Sequence, residues 1–201
     1  MLCGEVDRII SGRLRLPSFR VWRRRHLKAL QDYRRPEHWG IRPDAPLVTA
    51  IGRAVESHVL LAGADEPGPA LYLAAHGCAV TALEGHHDAI DRVMSAAEAA
   101  GLTRRLRGYV SDVGSWVPDA PLDAVVYSPS AMEGMDAADR CRMISRLQGA
   151  TTLGGVHLIE TSVGAAQVSL LDELHAQYAG WRTLVERHAG APGTFLAHKP
   201  T

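Results

Sequence analysis

Residues 59–84 read VLLAGADEPGPALYLAAHGCAVTALE, and they contain one strand–helix–strand unit. Val59–Ala62 is a short apolar run followed by glycine, which is typical of a buried strand and its turn. We predict a helix over residues 68–76 and a second strand at Val80–Glu84. Two strands joined by a helix in this way run parallel and lie side by side in one sheet.

The same alternation continues toward the C-terminus, where Gly154 and Gly155 are predicted to open a strand. The last two strands are separated by a few residues only, so they must pair antiparallel. We therefore predict an α/β, Rossmann-like sheet of seven strands, mostly parallel with an antiparallel last strand. Its further elements are strands at Arg107–Val110, Leu122–Tyr127, Val156–Thr161, 181–187 and 194–198, and helices at 86–100, 136–148 and 166–178.

Length and composition fit one domain that can build a sizeable core. The chain has 201 residues, of which 46% are hydrophobic and 22% are charged. No stretch approaches the roughly 20 apolar residues of a membrane span, and the first residues lack the apolar run of a signal peptide. The three cysteines are widely spaced, which favours neither a disulfide framework nor a metal site. These features predict a cytoplasmic protein with no membrane partner and no bound metal.

The net charge of zero conceals a strong asymmetry. Residues 1–53 hold 12 basic and five acidic residues, a net charge of +7, which the rest of the chain balances. We predict a basic, helical N-terminal extension over residues 1–45 and a separate sheet domain over residues 46–201. The extension contains a helix at 18–33, capped by Ser18, and a second helix follows at 46–57. One face of the helix at 18–33 carries an apolar stripe, Phe19, Trp22, His26, Leu30 and Tyr33.

This extension has two possible roles. As a lid, it would pack its apolar stripe on the body and cover a substrate with Trp22, Tyr33 and Trp39. As a nucleic-acid arm, it would place arginines such as Arg13, Arg15 and Arg20 on phosphates. The stripe favours the lid, and opposite charge on the body favours docking modestly.

Ligands of an open parallel sheet bind beyond the carboxyl ends of its strands. The loop after the first strand offers small or turn-forming residues there, and the next strand ends in Glu84, whose carboxylate can accept hydrogen bonds from ribose hydroxyls. After the third strand, Asp112 can reach an adenine amino group. This order predicts a site for an adenosine-containing ligand, although Glu84 can instead cap a helix and Asp112 can be an ordinary turn residue. The loop residues assigned to this site are Gly63, Ala64, Asp65, Glu66 and Gly68.

Several segments resemble the class I S-adenosylmethionine-dependent methyltransferases, most closely the tellurite-resistance and thiopurine type. They are residues 70–84, 122–126, 154–159 and the antiparallel ending from 180 to 200. The resemblance implies S-adenosylmethionine as cofactor and a small molecule as methyl acceptor. It also implies that Gly63 lies against the methionine part, Glu84 and Gly85 at the ribose, Asp112 and Val113 at the adenine, and Ser128 near the transferred methyl.

The glycine-rich loop departs from the family pattern, acidic-x-Gly-x-Gly-x-Gly. Leu61 stands at the acidic position, Asp65 at the second glycine and Pro67 at the third. Proline removes an N–H, and Asp65 places a negative charge near the expected methionine carboxylate. Either Asp65 or Glu66 holds the ammonium of the methionine part instead, or the chain is a non-catalytic binding module that has lost the cofactor.

Methyl transfer from a sulfonium depends mainly on alignment, since the leaving group is neutral. A general base is useful for some acceptors, and Tyr127, His86 (with its neighbour His87) and Glu133 are the candidates. Pro129 belongs with Ser128 to the pocket. The sequence lacks the Asn/Asp-Pro-Pro-aromatic and Pro-Cys signatures of base methylation, so a nucleic-acid substrate is less favoured than a small molecule. His157, within an apolar strand, is predicted to be a hydrogen-bonded interior histidine.

Overall fold

The computed structural model describes residues 17–51, 56–161, 166–186 and 193–201. The helices are α1 (Phe19–Tyr33), α2 (Pro46–Ile51), α3 (Pro67–Ala75), α4 (His87–Ala100), α5 (Ala137–Ala150) and α6 (Ala166–Gln177). The strands are β1 (His58–Ala62), β2 (Ala79–Glu84), β3 (Leu106–Val110), β4 (Leu122–Tyr127), β5 (Thr151–Glu160), β6 (Arg182–Glu186) and β7 (Thr194–His198). Short 3-10 helices lie at Pro36–Trp39 and Pro129–Met132.

The seven strands form one sheet in the order β3-β2-β1-β4-β5-β7-β6. β7 runs antiparallel to both of its neighbours, whereas the other paired strands are parallel. The predicted mostly parallel sheet with an antiparallel last strand is therefore confirmed. From β1 the chain first winds outward to β2 and β3 and then returns to the other side at β4. The crevice between β1 and β4 is thus the topological switch point.

The core lies on both faces of the sheet. Along β1, Val59 and Leu61 pack into one hydrophobic cluster, while Leu60 and Ala62 pack into the other. All four side chains are essentially inaccessible to solvent. A strand buried on both faces reads as a continuous apolar run, which is why this stretch is recognisable in the sequence.

The start of β5 differs from the prediction. Gly154 and Gly155 lie inside the strand, which begins at Thr151, and the register with β4 is irregular at this point. Gly154 has φ of 75°, and a Cβ on Gly155 would lie 3.0 Å from the backbone oxygen of Asp123. The prediction that the glycines open the strand was wrong because glycine marks bulges and close backbone approaches as well as strand ends.

The predicted helix at 18–33 is present as α1, and Ser18 precedes it without a side-chain capping hydrogen bond. None of its residues is buried, and Phe19 and Trp22 are 58% and 50% exposed. The prediction that the whole stripe packs on the body was therefore wrong for these two residues. Among the described residues, Tyr33 at the C-terminal end of α1 contacts Trp39 of the following turn, whereas Phe19 and Trp22 at the other end stay largely exposed.

Parts of two other predicted segments lie outside the described residues. The predicted helix at 46–57 is present as Pro46–Ile51, while 52–55 lie outside the described residues, as do Arg13 and Arg15 of the proposed nucleic-acid arm. Within the described part of the chain, no helix is both long and apolar enough to span a bilayer.

Candidate functional site

The loops that follow β1, β2, β3 and β4 meet at one edge of the sheet. The backbone N–H groups of Gly63 and Ala64 both donate to the carbonyl of Leu83, at 2.9 Å. Ser111 N–H donates to the carbonyl of Glu84 at 3.0 Å, and Ser128 N–H donates to that of Ala62 at 2.9 Å. The residues predicted for cofactor binding therefore share this carboxyl edge.

Glu84 is the most strongly placed of these residues. It ends β2, and its side chain is 10% exposed. Its Oε1 accepts hydrogen bonds from His86 N–H at 3.2 Å and lies 2.9 Å from His86 Nδ1. No described residue donates to its Oε2. Glu84 therefore bonds the residue that precedes the next helix and caps none of the helix's own N–H groups, and its second carboxylate oxygen keeps its full hydrogen-bonding capacity.

Asp112 and Val113 follow β3 on the same edge. Asp112 is exposed, and its Oδ1 accepts a hydrogen bond from Gly114 N–H at 3.1 Å. Asp112 therefore acts as an ordinary turn residue, which is the alternative given above for this position. Its second carboxylate oxygen is open to solvent. Val113 is buried and packs in the core beneath the edge. A role of either residue in adenine binding stays a prediction.

The crevice between β1 and β4 is tightly filled beside Gly63. Gly63 has φ of 77°, and a Cβ there would lie 2.2 Å from Ser128 Oγ and 2.8 Å from Ala131 N. Ser128 Oγ donates to the carbonyl of Gly63 at 2.7 Å and shares a 2.8 Å hydrogen bond with Ser130 Oγ. Only glycine fits this position. Sequence reasoning missed Ser130, because nothing local marks it as a neighbour of residue 63.

A groove of about 750 Å³ opens beside the loop that joins β1 to α3. Its wall includes Asp65 and Glu66, which are exposed, and Gly68, where a Cβ would lie 2.4 Å from the backbone oxygen of Trp39. Arg92 of α4 donates from Nη2 to the carbonyl of Asp65 at 3.2 Å. The lining residues are His38, Trp39, Asp65, Glu66, Pro67, Gly68, Leu71 and Arg92. Arg92 had no sequence signal, since its proximity to this loop is purely tertiary.

Two of the three aromatic residues predicted for the lid lie together. Trp39 Nε1 donates to the carbonyl of Tyr33 at 2.7 Å, and the two rings are 5.1 Å apart between centroids. Trp22 instead stacks on Phe19 and His26 within α1. The groove is therefore flanked by Trp39, with Tyr33 behind it, while Trp22 takes no part.

The general-base candidates differ in their exposure to solvent. Tyr127 is fully buried, its Oη lies 3.3 Å from His157 Nδ1, and burial raises its pKa. Its prediction as a base was wrong, because the last residue of β4 faces the core. His86 has a 90% exposed side chain, and His87 pairs with Asp91 at 2.8 Å.

Glu133 and Pro129 both lie in the segment that follows β4. Glu133 is exposed and ends the 3-10 helix that Pro129 begins. Among the described residues, no group of three or more His, Cys, Asp or Glu side chains is arranged to hold a metal ion.

Comparison with solved structures identifies the known fold to which this architecture corresponds. TehB from Haemophilus influenzae superposes with a TM-score of 0.63 over 79% of this chain and 62% of TehB, at 20% identity. The class I methyltransferase fold is therefore the fold of this chain. The glycopeptide N-methyltransferase MtfA, complexed with S-adenosyl-L-homocysteine, gives 0.62 at 15% identity over 76% of this chain and 87% of MtfA.

A third solved structure agrees with these two. The N-methyltransferase NodS from Bradyrhizobium japonicum gives a TM-score of 0.61 at 12% identity, over 80% of this chain and 100% of NodS. The match spans less than two thirds of TehB, and no protein-family model and no curated protein matches the sequence. The similarity at these identities is one of backbone architecture.

Proposed function

We propose that this chain is an S-adenosylmethionine-dependent methyltransferase that acts on a small molecule. The observation that carries the proposal is the carboxylate of Glu84, which is nearly buried at the end of β2 and keeps one oxygen without a donor among the described residues. Gln177 Oε1 is the one fully buried side-chain atom without a partner among the described residues, so the second oxygen of Glu84 is accessible and can accept a hydrogen bond from a ligand. Ribose hydroxyls are the donors that this position takes in nucleotide-binding sheets of this kind.

The residues present fit the adenosine half of the cofactor. His86 donates to one oxygen of Glu84 and so leaves the other for the ribose. Gly85, the next residue, has open space where a Cβ would stand, so a ligand can approach the backbone. Asp112 adds an exposed carboxylate at the end of the neighbouring strand, as an adenine amino group requires.

The residues placed to bind the methionine half of the cofactor differ chemically from those of the usual glycine-rich loop. Pro67 removes a donor from the first turn of α3, and the Trp39 carbonyl covers Gly68. The exposed carboxylates of Asp65 and Glu66 suit the ammonium group rather than the carboxylate. Leu61, at the usual acidic position, is packed in the core and takes no part.

Bound S-adenosylmethionine supplies an electrophilic methyl group on a sulfonium whose departure leaves a neutral thioether. The chain has to hold the adenosine, exclude water and align the acceptor. Glu84, fixed by His86, anchors the ribose, and the Ser128–Ser130 hydroxyl pair fixes the β4 loop against Gly63. Of the general-base candidates, His86 and Glu133 remain accessible to an acceptor that must lose a proton.

A small acceptor is favoured by the groove beside residues 65–68. Its volume of about 750 Å³ lies within the roughly 300–1,000 Å³ of small-molecule sites. With Asp65 and Glu66 assigned to the methionine ammonium, Arg92 is the charged lining residue left for the acceptor, so an acceptor that carries an anionic group matches the walls.

The test is calorimetric titration of the whole chain with S-adenosylmethionine and S-adenosylhomocysteine. We expect the substitution Glu84→Gln to weaken binding by about 10- to 100-fold, since a charge-assisted hydrogen bond contributes about 1.5–3 kcal/mol. Glu98→Gln is the matched control, because Glu98 is exposed on α4 away from the strand ends. Equal affinities of wild type and Glu84→Gln would show that the carboxylate does not hold the ribose.

A second function, a binding module without cofactor, is favoured by one observation. The serine hydroxyls packed against Gly63 occupy space beside the expected methionine part. Absence of any heat with either ligand at millimolar concentration, for a wild-type chain that unfolds cooperatively, would overturn the enzyme proposal in favour of this module.

A further inference from the structure

Helix α1 carries an unusual share of the exposed apolar surface. Ten large hydrophobic side chains are exposed in the described part of the chain, and five of them belong to this 15-residue helix. They are Phe19, Val21, Trp22, Leu27 and Leu30. Exposed apolar patches of this density mark surfaces that bind something.

Three of these five residues, Phe19, Trp22 and Leu30, lie along one face of α1, whereas Val21 and Leu27 lie on other sides of the helix. The rings of Phe19 and Trp22 stack with centroids 5.9 Å apart, and those of Trp22 and His26 stack at 5.0 Å. Leu30 and Tyr33 continue the row at helical spacing. The face is therefore about four turns, or ~22 Å, long.

The cations of α1 lie on the other sides of the helix. Arg20, Arg24 and Lys28 recur every four residues on the opposite face, while Arg23 and Arg25 flank the apolar row. No described residue forms an ion pair with any of these five cations. The helix holds one acidic residue, Asp32, so an anionic partner would meet an almost uniformly positive surface.

We propose that α1 lies in the plane of an anionic lipid bilayer, with Phe19, Trp22 and Leu30 in the boundary between headgroups and acyl chains. Interfacial helices have this composition, with aromatic and aliphatic residues on one face and Lys or Arg on the other. Arg23 and Arg25, at the borders of the row, are placed to reach lipid phosphates while their stems stay among the apolar groups. This inference is independent of the proposed methyl transfer.

The arrangement disfavours two other occupants. A single-stranded RNA needs cations on the same face as the stacking rings, because its phosphates and bases are held together. In α1 three of the five cations, Arg20, Arg24 and Lys28, face away from the rings, and the other two, Arg23 and Arg25, lie at the borders of the row. A second copy of the helix, packed row to row, would bring the flanking arginines of both copies together and repel.

The first experiment is flotation of the whole chain with vesicles. We expect binding to vesicles of phosphatidylcholine with one quarter phosphatidylglycerol, and at least tenfold weaker binding to phosphatidylcholine alone. The double variant Phe19→Ser/Trp22→Ser should lose at least tenfold in affinity for the anionic vesicles. The matched control, Val117→Ser/Leu153→Ser, removes two side chains that are 68% and 73% exposed outside α1 and should bind like wild type. Thermal unfolding verifies that each variant folds.

The second experiment tests the charges. We expect Arg23→Glu/Arg25→Glu, which reverses the two cations that border the apolar row, to weaken vesicle binding at least tenfold, and Arg104→Glu/Arg107→Glu, which reverses two exposed cations outside α1, to leave it nearly unchanged. Wild-type binding should weaken as sodium chloride is raised from about 0.05 to about 0.5 M, because this increase shortens the Debye length severalfold and screens the attraction between the cations and the lipid headgroups.

Several results would overturn the proposal. They are equal binding to neutral and anionic vesicles, equal loss in the α1 variants and their controls, and no vesicle binding at all. If the chain bound a labelled oligouridylate more tightly than the anionic vesicles, and the α1 variants abolished that binding, the helix would be an RNA-binding element instead. A dimer in gel filtration that Phe19→Ser/Trp22→Ser dissociates would assign it to self-association.

Discussion

Two polar regions of the sheet contrast in how completely their hydrogen bonds are satisfied. Around His157, in the middle of β5, the ring Nδ1 lies 2.6 Å from Tyr178 Oη and Nε2 lies 2.7 Å from Thr151 Oγ1. Tyr127 Oη joins this closed cluster at 3.3 Å from Nδ1. At the carboxyl edge, Glu84 is nearly as buried, yet its Oε2 receives no donor from any described residue.

The contrast separates polar groups that satisfy one another from polar groups that can still bind a ligand. A buried polar cluster whose members satisfy one another has no capacity left for a ligand, and its role is to fix the packing of the core. A buried carboxylate with a free oxygen has that capacity. The boundary is sharp along β4, because Tyr127 belongs to the closed cluster and the next residue, Ser128, belongs to the edge.

The largest expected effect comes from breaking the closed cluster. His157→Leu removes the ring that binds Tyr178 Oη and Thr151 Oγ1 at the shortest distances in the cluster, so we expect the free energy of unfolding to fall by about 4 kcal/mol. Urea denaturation measures it. His87→Leu is the control, because His87 is exposed, and it should change stability by less than about 0.5 kcal/mol. A loss below about 1 kcal/mol for His157→Leu would mean that the cluster does not contribute to stability as its geometry indicates.

Much of this contrast was predictable from the sequence, and part of it was not. The interior position of His157 follows from its apolar neighbours, and that of Glu84 follows from the strand it ends; the structure places both as predicted. The direction of Tyr127 was not predictable, because it depends on the register that sets Tyr127 opposite Ile159.

Long-range packing set the other limits. The close approach of Trp39 to Gly68 joins residues 29 positions apart and leaves no local signal. In α1, amphipathic spacing predicts an apolar face correctly but does not specify what covers it. Phe19 and Trp22 were therefore assigned to the body, although both side chains are at least half exposed.

A smaller loss of stability is expected when a side chain is added at Gly63, in the crevice at the carboxyl edge of the sheet. In Gly63→Ala the new Cβ meets Ser128 Oγ, Ser130 Oγ and the backbone N of Ala131, in a backbone conformation with positive φ. We expect a loss of about 3 kcal/mol in urea denaturation. Gly85→Ala, which meets nothing within 4 Å and has no positive φ, should lose less than about 1 kcal/mol.

A second variant sharpens this result. Ser128→Ala in the Gly63→Ala background should recover only part of the lost stability, since Ala131 N at 2.8 Å is backbone and cannot rotate away. Full recovery would contradict the packing described for the crevice.

The smallest effect is a pH dependence that belongs to the closed cluster. Burial, with a lesser contribution from the charge of Lys199, lowers the pKa of His157 from 6.5 to about 3. Between these values the unfolded chain binds a proton that the folded chain does not. Stability from this group is therefore complete above pH 6.5 and falls by about 1.4 kcal/mol per unit as the pH decreases, or about 2 kcal/mol between pH 6.5 and 5.

Urea denaturation of wild type and His157→Gln at both pH values isolates this contribution. Burial also lowers the pKa of His198, helped by the charge of Arg182, but that residue is present in both proteins and its effect cancels in the difference. We expect the variant to lose about 2 kcal/mol less than wild type on acidification, because glutamine carries no titrating proton. Equal losses would place the acid sensitivity outside the closed cluster. Glu84→Gln changes only the carboxyl edge, so it should lose as much unfolding free energy through His157 as wild type does between the two pH values.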